Sequence, residues 1–236
     1  MCNPSQSATR MPQGPLLLYY ITDRKQFPGT PSEQEQQLID KISESALAGV
    51  DYIQLREKDL STRQLEQLAY KVVEALPSGS VTKLLINSRI DVALACGADG
   101  VHLPGNYLSA SEARAIFSAA GKAHPIVAVS THSAAEVALA ESHGADFAVF
   151  GPVFEKSSVP NPAGLQQLSA VCYRAQAETL RMPVLALGGI TLGNAVQCVT
   201  AGADGLAAIR MFQDNNVQET VSRLRSLRAS TSLSGY

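Results

Sequence analysis

Apolar residues in this chain alternate between two textures: short continuous runs bounded by turn residues, and longer stretches in which they recur every three or four positions. The short runs predict strands at Leu16 to Ile21, Tyr52 to Arg56, Leu84 to Asn87, Gly100 to Leu103, Ile126 to Ser130, Phe147 to Gly151, Val184 to Leu187 and Gly205 to Ile209. The periodic stretches predict helices over Glu33 to Ala48, Thr62 to Leu76, Arg89 to Cys96, Ser109 to Ala120, Ser133 to His143, Gly164 to Arg181, Leu192 to Ala201 and Asn215 to Arg228. Four of those helices run into the same signature: Gly49-Val50-Asp51, Gly97-Ala98-Asp99, Gly144-Ala145-Asp146 and Gly202-Ala203-Asp204. The glycine reads as a left-handed helix stop, and a strand opens after each aspartate. Strict strand and helix alternation eight times over in 236 residues predicts a (β/α)8 TIM barrel. An open doubly wound sheet would carry fewer strands and a glycine-rich loop after the first, and Tyr19-Tyr20-Ile21-Thr22-Asp23 has no such loop.

Nothing divides the chain, so residues 16–228 are expected to form one domain, between a flexible N-terminal segment (1–15) and a flexible C-terminal tail (229–236). With 45% hydrophobic and 17% charged residues and a net charge of −2, the composition excludes an electrostatic partner such as nucleic acid. The apolar runs are too short to span a membrane and the first fifteen residues lack an apolar signal core, so a cytoplasmic location is expected. Cys2, Cys96, Cys172 and Cys198 show no paired spacing and read as free thiols.

In a barrel of this kind, functional groups gather where strands end and helices have yet to begin. After the second strand, period-two alternation turns Gln54, Arg56 and Lys58 to one side and Leu55 to the other, so an amide and two cations converge on the mouth. Such a set suits a phosphate or carboxylate; the alternative is an ion pair of Arg56 with Glu57 or Asp51. Asn87 ends the third strand and Ser88 is placed to cap the next helix. His102, on the fourth strand, reads as a hydrogen-bonded core residue. His132, after Ser130 and Thr131 and before a helix that Ser133 could cap, has the best position of the four histidines for a general base or acid; the alternative is a solvent-facing residue. The sixth strand runs through Gly151 into a polar, proline-containing loop, 151–162, that could close over the mouth. Gly188-Gly189 after the seventh strand, and Ala208, Ile209 and Arg210 at the end of the eighth, occupy the recurrent phosphate site of this fold.

Taken together, Tyr20-Ile21-Thr22-Asp23, Gln54-Leu55-Arg56-Glu57-Lys58, Gly97-Ala98-Asp99-Gly100-Val101-His102-Leu103, Ser130-Thr131-His132-Ser133, Gly151-Pro152-Val153-Phe154 and Gly188-Gly189-Ile190 resemble the superfamily of thiamine phosphate synthase and thiazole tautomerase, from about residue 16 to residue 212. The resemblance implies a barrel of thiamine biosynthesis that acts on a phosphorylated thiazole. In the synthase branch a pyrimidine diphosphate ionises, magnesium and cations stabilise the departing diphosphate, and the thiazole nitrogen attacks. In the tautomerase branch a histidine moves a proton to aromatise a thiazole carboxylate phosphate.

The chain departs from the synthase pattern where that pattern is acidic. An aspartate expected after Asn87 is Ser88, an acidic residue expected after His102 is replaced within Pro104-Gly105-Asn106-Tyr107, and the expected loop lysine falls near Val159, with Lys156 close by. Magnesium needs one or two carboxylates beside the phosphates, so no metal site is expected. These departures favour a metal-independent tautomerase-like isomerase. In that reading His132 is catalytic, Gln54, Arg56, Lys58, Asn87 and Ser130 hold the substrate, and Gly151, Gly188, Gly189, Ala208, Ile209 and Arg210 hold its phosphate. The alternatives are thiamine phosphate synthase, the one reading that brings Mg2+ as cofactor, and a non-catalytic binder of thiazole or thiamine phosphate. The expected partner is that small molecule, not nucleic acid or membrane, and resemblance implies a homodimer.

Overall fold

Eight parallel strands pair in chain order and the last returns to the first, in a computed structural model that describes residues 14–154, 164–177 and 182–231. The strands are β1 (Leu17–Ile21), β2 (Tyr52–Leu55), β3 (Lys83–Asn87), β4 (Gly100–Leu103), β5 (Ile126–Thr131), β6 (Phe147–Phe150), β7 (Val184–Leu187) and β8 (Gly205–Ala208). The helices are α1 (Pro31–Leu47), α2 (Thr62–Ala75), α3 (Ile90–Cys96), α4 (Ala110–Ala119), α5 (Ala134–Ser142), α6 (Gly164–Ala177), α7 (Ala195–Thr200), α8 (Arg210–Gln213) and α9 (Val217–Thr231). The closed TIM barrel is as the alternation predicts.

The repeated Gly-x-Asp signature has a structural cause. Gly49, Gly97, Gly144 and Gly202 all hold positive φ, where a side chain would be strained, and each turns the chain from a helix into the next strand. The aspartate two residues later then reaches across to the start of the preceding strand. Asp51 accepts from Leu18 N (2.6 Å), Asp99 from Leu84 N (2.9 Å), Asp146 from Val127 N (2.6 Å) and Asp204 from Val184 N (3.0 Å). Four copies therefore pin the bottoms of β1, β3, β5 and β7, and Arg225, Lys83, Arg114 and Arg228 supply the countercharges. Hydrogen bonds to a charged acceptor contribute about 1.5–3 kcal/mol each, so the signature holds the face opposite the mouth.

Alternation divides the strand side chains between two cores. Leu18, Tyr20, Ile53, Leu55, Leu84, Ile86 and their counterparts face the helices, while Tyr19, Ile21, Leu85, Ala128, Phe147, Val149, Leu185 and Ala207 fill the barrel. Within it, Phe147 meets Tyr19 edge-on (5.4 Å between centroids) and packs tilted on Tyr52 (4.7 Å). This plug closes the barrel, so a ligand can enter only at the C-terminal rim.

Several boundaries differ from the sequence pattern. Helix α1 begins at Pro31 because Thr30 and Glu33 form a reciprocal capping box with proline at the first turn. The turn at Arg24–Gln26 and the one-turn α8 were too short for periodicity to register. Helix α9 runs to Thr231, beyond the expected end at Arg228 and into the segment expected to be a loose tail. Ser88 does not cap α3: its φ of 60° is left-handed and its hydroxyl instead accepts from Asn87 Nδ2 at 3.1 Å. Residues 1–13, 155–163, 178–181 and 232–236 lie outside the described residues, and with them both expected flexible termini for the most part and the loop expected to close over the mouth. Cys96, Cys172 and Cys198 are buried free thiols, and burial pushes both Cys172 and Cys198 up to about 12. Among the described residues no helix is long and apolar enough to cross a membrane.

Candidate functional site

The C-terminal rim encloses a cavity of about 960 Å3. Its floor is built by inward-facing residues at the ends of seven of the eight strands, and chemistry divides them into two arcs. Gln54, Asn87, His102 and Ser130, on adjacent strands β2 to β5, make a polar arc; Leu187 at the end of β7, Ile209 after β8 and Ile21 on β1 make an apolar one. Gln54 donates to Asn87 Oδ1 (2.9 Å), and His102 Nε2 lies 2.7 Å from Ser130 Oγ. An arc of polar edges opposite an apolar wall suits a flat heteroaromatic ring with polar atoms on one side.

Above the polar arc, Arg56 and Lys58 line the mouth, but so do Leu55 and Glu57: β2 ends at Leu55, and the expected alternation does not run on into the loop. Neither cation makes an ion pair among the described residues, because the carboxylates proposed as partners of Arg56 are taken: Glu57 by Arg24 (3.0 Å) and Asp51 by Arg225 (2.9 Å). The two cations are close enough to repel. Arg56, and secondarily burial, lowers the Lys58 ammonium below its usual range. An anion between them would relieve that repulsion.

The loop carrying these cations is built on a buried network that the sequence reading missed. Thr22 donates to Glu57 Oε1 (2.7 Å) and its oxygen accepts from the Arg56 amide (2.9 Å). Arg24 joins Glu57 and forks onto Asp59 through two bonds of 2.7 Å. Burial pushes the Glu57 carboxyl up, and Thr22 and Arg24 pull it back only in part, whereas the Arg24 fork holds Asp59 well below the usual carboxylate range. These contacts span more than thirty residues of sequence and leave no local pattern to read.

His132 lines the cavity with its imidazole exposed. Its Nδ1 lies 2.5 Å from the Gly151 carbonyl, an acceptor only, so that nitrogen is the donor and Nε2 is the nitrogen turned away from this bond. Its backbone amide donates to Glu136 Oε2 (2.7 Å), and Ser133 caps α5 through Glu136 N (3.2 Å). Glu136, also on the cavity wall, is a second residue missed; the spacing Ser133-Ala134-Ala135-Glu136 was its signal.

His102 is enclosed, 3% exposed, with Tyr19 Oη 3.0 Å from Nδ1. Burial, aided by Arg56, depresses its pKa to about 3. The core reading of this histidine therefore holds, and it predicts a pH effect. An unfolded chain protonates this imidazole near 6.5 while the folded one resists, so stability is complete above that pH and falls as pH drops toward about 3. The expected slope from this group is up to about 1.4 kcal/mol per pH unit. Urea unfolding of the parent and His102→Asn across that range checks it; parallel curves would remove the effect.

On the apolar side, Gly188 and Gly189 hold φ of 104° and 65°. The amides of Gly188, Gly189 and Ile209 donate to no backbone carbonyl among the described residues. Val153 N and Phe154 N instead bind the Leu187 and Gly188 carbonyls (2.8 and 3.1 Å), which seats the loop after β6 on the loop after β7. The phosphate group expected at this end is thus divided. Ile209 lines the cavity, and Gly151, Gly188, Gly189 and Ala208 are not among its lining residues. Arg210 is exposed at the start of α8 and is not part of the lining, so its guanidinium is not placed as the sequence reading expected.

Among the described residues no three His, Cys, Asp or Glu side chains gather into a metal-holding group. Among the described residues the carboxylates on the cavity wall are Glu57, which accepts from Thr22 and Arg24, and Glu136, whose Oε2 accepts from the His132 amide.

Residues 18–212 match the family model described as thiamine monophosphate synthase. A protein of Aquifex aeolicus provisionally named thiamine-phosphate synthase 2 is 42% identical over 197 residues, 83% of this chain and 96% of its own length. The thiamine-phosphate synthase of Halalkalibacterium halodurans is 37% identical over 195 residues, 81% of this chain and 85% of its own. Among solved structures, thiamine phosphate pyrophosphorylase from Pyrococcus furiosus superposes with a TM-score of 0.73 at 28% identity, covering 91% of this chain and 96% of that one.

Proposed function

This chain belongs to the thiamine monophosphate synthase family, and from that premise we propose that it couples a pyrimidine methyl diphosphate to a thiazole phosphate. The observation that carries the proposal is that Arg56 and Lys58, without an ion-pair partner among the described residues, stand at the mouth of a cavity of about 960 Å3, near the top of the roughly 300–1,000 Å3 range of ligand pockets. That volume suits two half-molecules better than one thiazole. The names of the relatives point the same way.

In this reading the open amides beside Gly188 and Ile209 hold the thiazole phosphate, and Gln54, Asn87 and Ser130 read the polar edge of the pyrimidine. The methylene C–O bond breaks with its electron pair passing to the diphosphate, and the thiazole nitrogen lone pair forms the new C–N bond. Arg56 and Lys58 neutralise the leaving group as its charge develops. The family resemblance brings magnesium to this step, but the donors among the described residues do not fit it: Ser88 and the segment Pro104-Gly105-Asn106-Tyr107 stand where acids are expected, Glu57 is tied to Thr22 and Arg24, and no three acidic, histidine or cysteine side chains gather. We therefore assign the charge of the leaving group to the two cations.

A second reading, the proton transfer favoured by the sequence departures, rests on His132. Its pinned Nδ1 leaves Nε2 available as a base. One pair of assays separates the readings. Mixing the two phosphorylated halves should yield thiamine phosphate, with His132→Asn retaining most of the rate. Aromatisation of a thiazole carboxylate phosphate, seen by ultraviolet absorbance and lost in His132→Asn, would establish the second reading instead. Binding of thiamine phosphate by calorimetry without either turnover would leave a binder.

A further inference from the structure

We propose that the buried Tyr19 hydroxyl fixes the direction of a three-residue hydrogen-bond chain, Tyr19 to His102 to Ser130, so that the Ser130 proton is free to be donated into the cavity. The chain begins in the closed barrel interior, where Tyr19 is 0% exposed, and ends on the cavity floor. Tyr19 Oη is 3.0 Å from His102 Nδ1, and His102 Nε2 is 2.7 Å from Ser130 Oγ.

Only two proton arrangements satisfy these contacts. Burial keeps His102 neutral, so one ring nitrogen donates and the other accepts. If Nδ1 donated, the Tyr19 O–H would need another acceptor, and none bonds it among the described residues. An unmet buried hydroxyl proton is disfavoured. Tyr19 therefore donates to Nδ1, Nε2–H donates to Ser130 Oγ, and the Ser130 O–H turns outward. The reverse order would make Ser130 an acceptor. The choice decides what the floor can offer: with the proton turned outward it can bind a lone pair, such as an unprotonated ring nitrogen, which the reverse order could not. Tyr19 and His102 are positioning residues acting through Ser130.

The direction of the chain is a property of the free protein, and its consequence for binding rests on the proposed function. Long-range proton–nitrogen correlation on histidine-labelled protein reads the first. Nε2-protonated His102 is expected in the parent, with a shift toward the other tautomer in Tyr19→Phe; Nδ1-protonated His102 in the parent would overturn the proposal. For the second, Tyr19→Phe should weaken thiamine phosphate binding about tenfold, as should Ser130→Ala, and Tyr19→Phe should have no further effect in the Ser130→Ala background. Equal losses in both backgrounds would show that Tyr19 does not act through Ser130. If thiamine phosphate does not bind the parent at all, the proposed function fails while the tautomer measurement still decides the chain.

Discussion

Replacing Arg56 with alanine is expected to lower kcat/KM for the coupling reaction by about 10²–10³-fold. The guanidinium has no carboxylate partner among the described residues, and its loop is held by the Thr22, Glu57 and Arg24 network whether or not a ligand is present. The loss should therefore come from the ligand, where a forked contact to a diphosphate involves two charged hydrogen bonds of about 1.5–3 kcal/mol each. Arg56→Lys should recover part of the rate, since an ammonium supplies charge without the planar fork. An independent signature accompanies the loss. Arg56 is the chief cause of the depressed Lys58 ammonium, so Lys58 should titrate higher in Arg56→Ala, as nitrogen NMR of labelled lysine would show. An unchanged rate together with an unchanged Lys58 would place Arg56 away from the anion.

Substitution of Gly188 by valine should weaken thiazole phosphate binding roughly 100-fold or more, read by calorimetry. A Cβ there would sit 2.6 Å from Pro152 Cα, and φ is 104°. Strain of about 1–3 kcal/mol from the backbone alone corresponds to a factor of roughly 5–150. The overlap is with backbone, so relief requires the loops after β6 and β7 to separate, and the hydrogen bond from Phe154 N to the Gly188 carbonyl would go with it. Thermal unfolding of the same variant shows whether the barrel itself survives. A folded protein that still binds thiazole phosphate normally would move the phosphate site elsewhere.

The barrel was legible because its cause is local. The position of Gln54, Arg56 and Lys58 at the end of β2 and just beyond it marked them for the cavity wall, and four Gly-x-Asp signatures marked the helix stops. What the aspartates do was not legible, because Asp51 finds Leu18 and Asp146 finds Val127 only once the strands lie side by side. The same limit hid the site's supports. Arg24 and Glu57 are 33 residues apart, and Tyr19 and His102 are 83 apart. Ser88 was misread for a different reason: a serine before a helix favours capping, but its left-handed backbone turned the hydroxyl onto Asn87. Arg210 looked like a phosphate ligand from its position after β8, and the single turn of α8 carries its side chain to the surface.

The claim that two side-chain cations do the work usually given to a divalent ion is tested most directly by the initial rate of thiamine phosphate formation, from saturating substrates, over a magnesium titration that begins in excess chelator. The arrangement of Arg56 and Lys58, with Glu57 tied to Arg24, predicts substantial turnover in chelator and a change of no more than about threefold, roughly 0.65 kcal/mol, at millimolar magnesium. A rate that is absent in chelator and rises in proportion to added magnesium would contradict it.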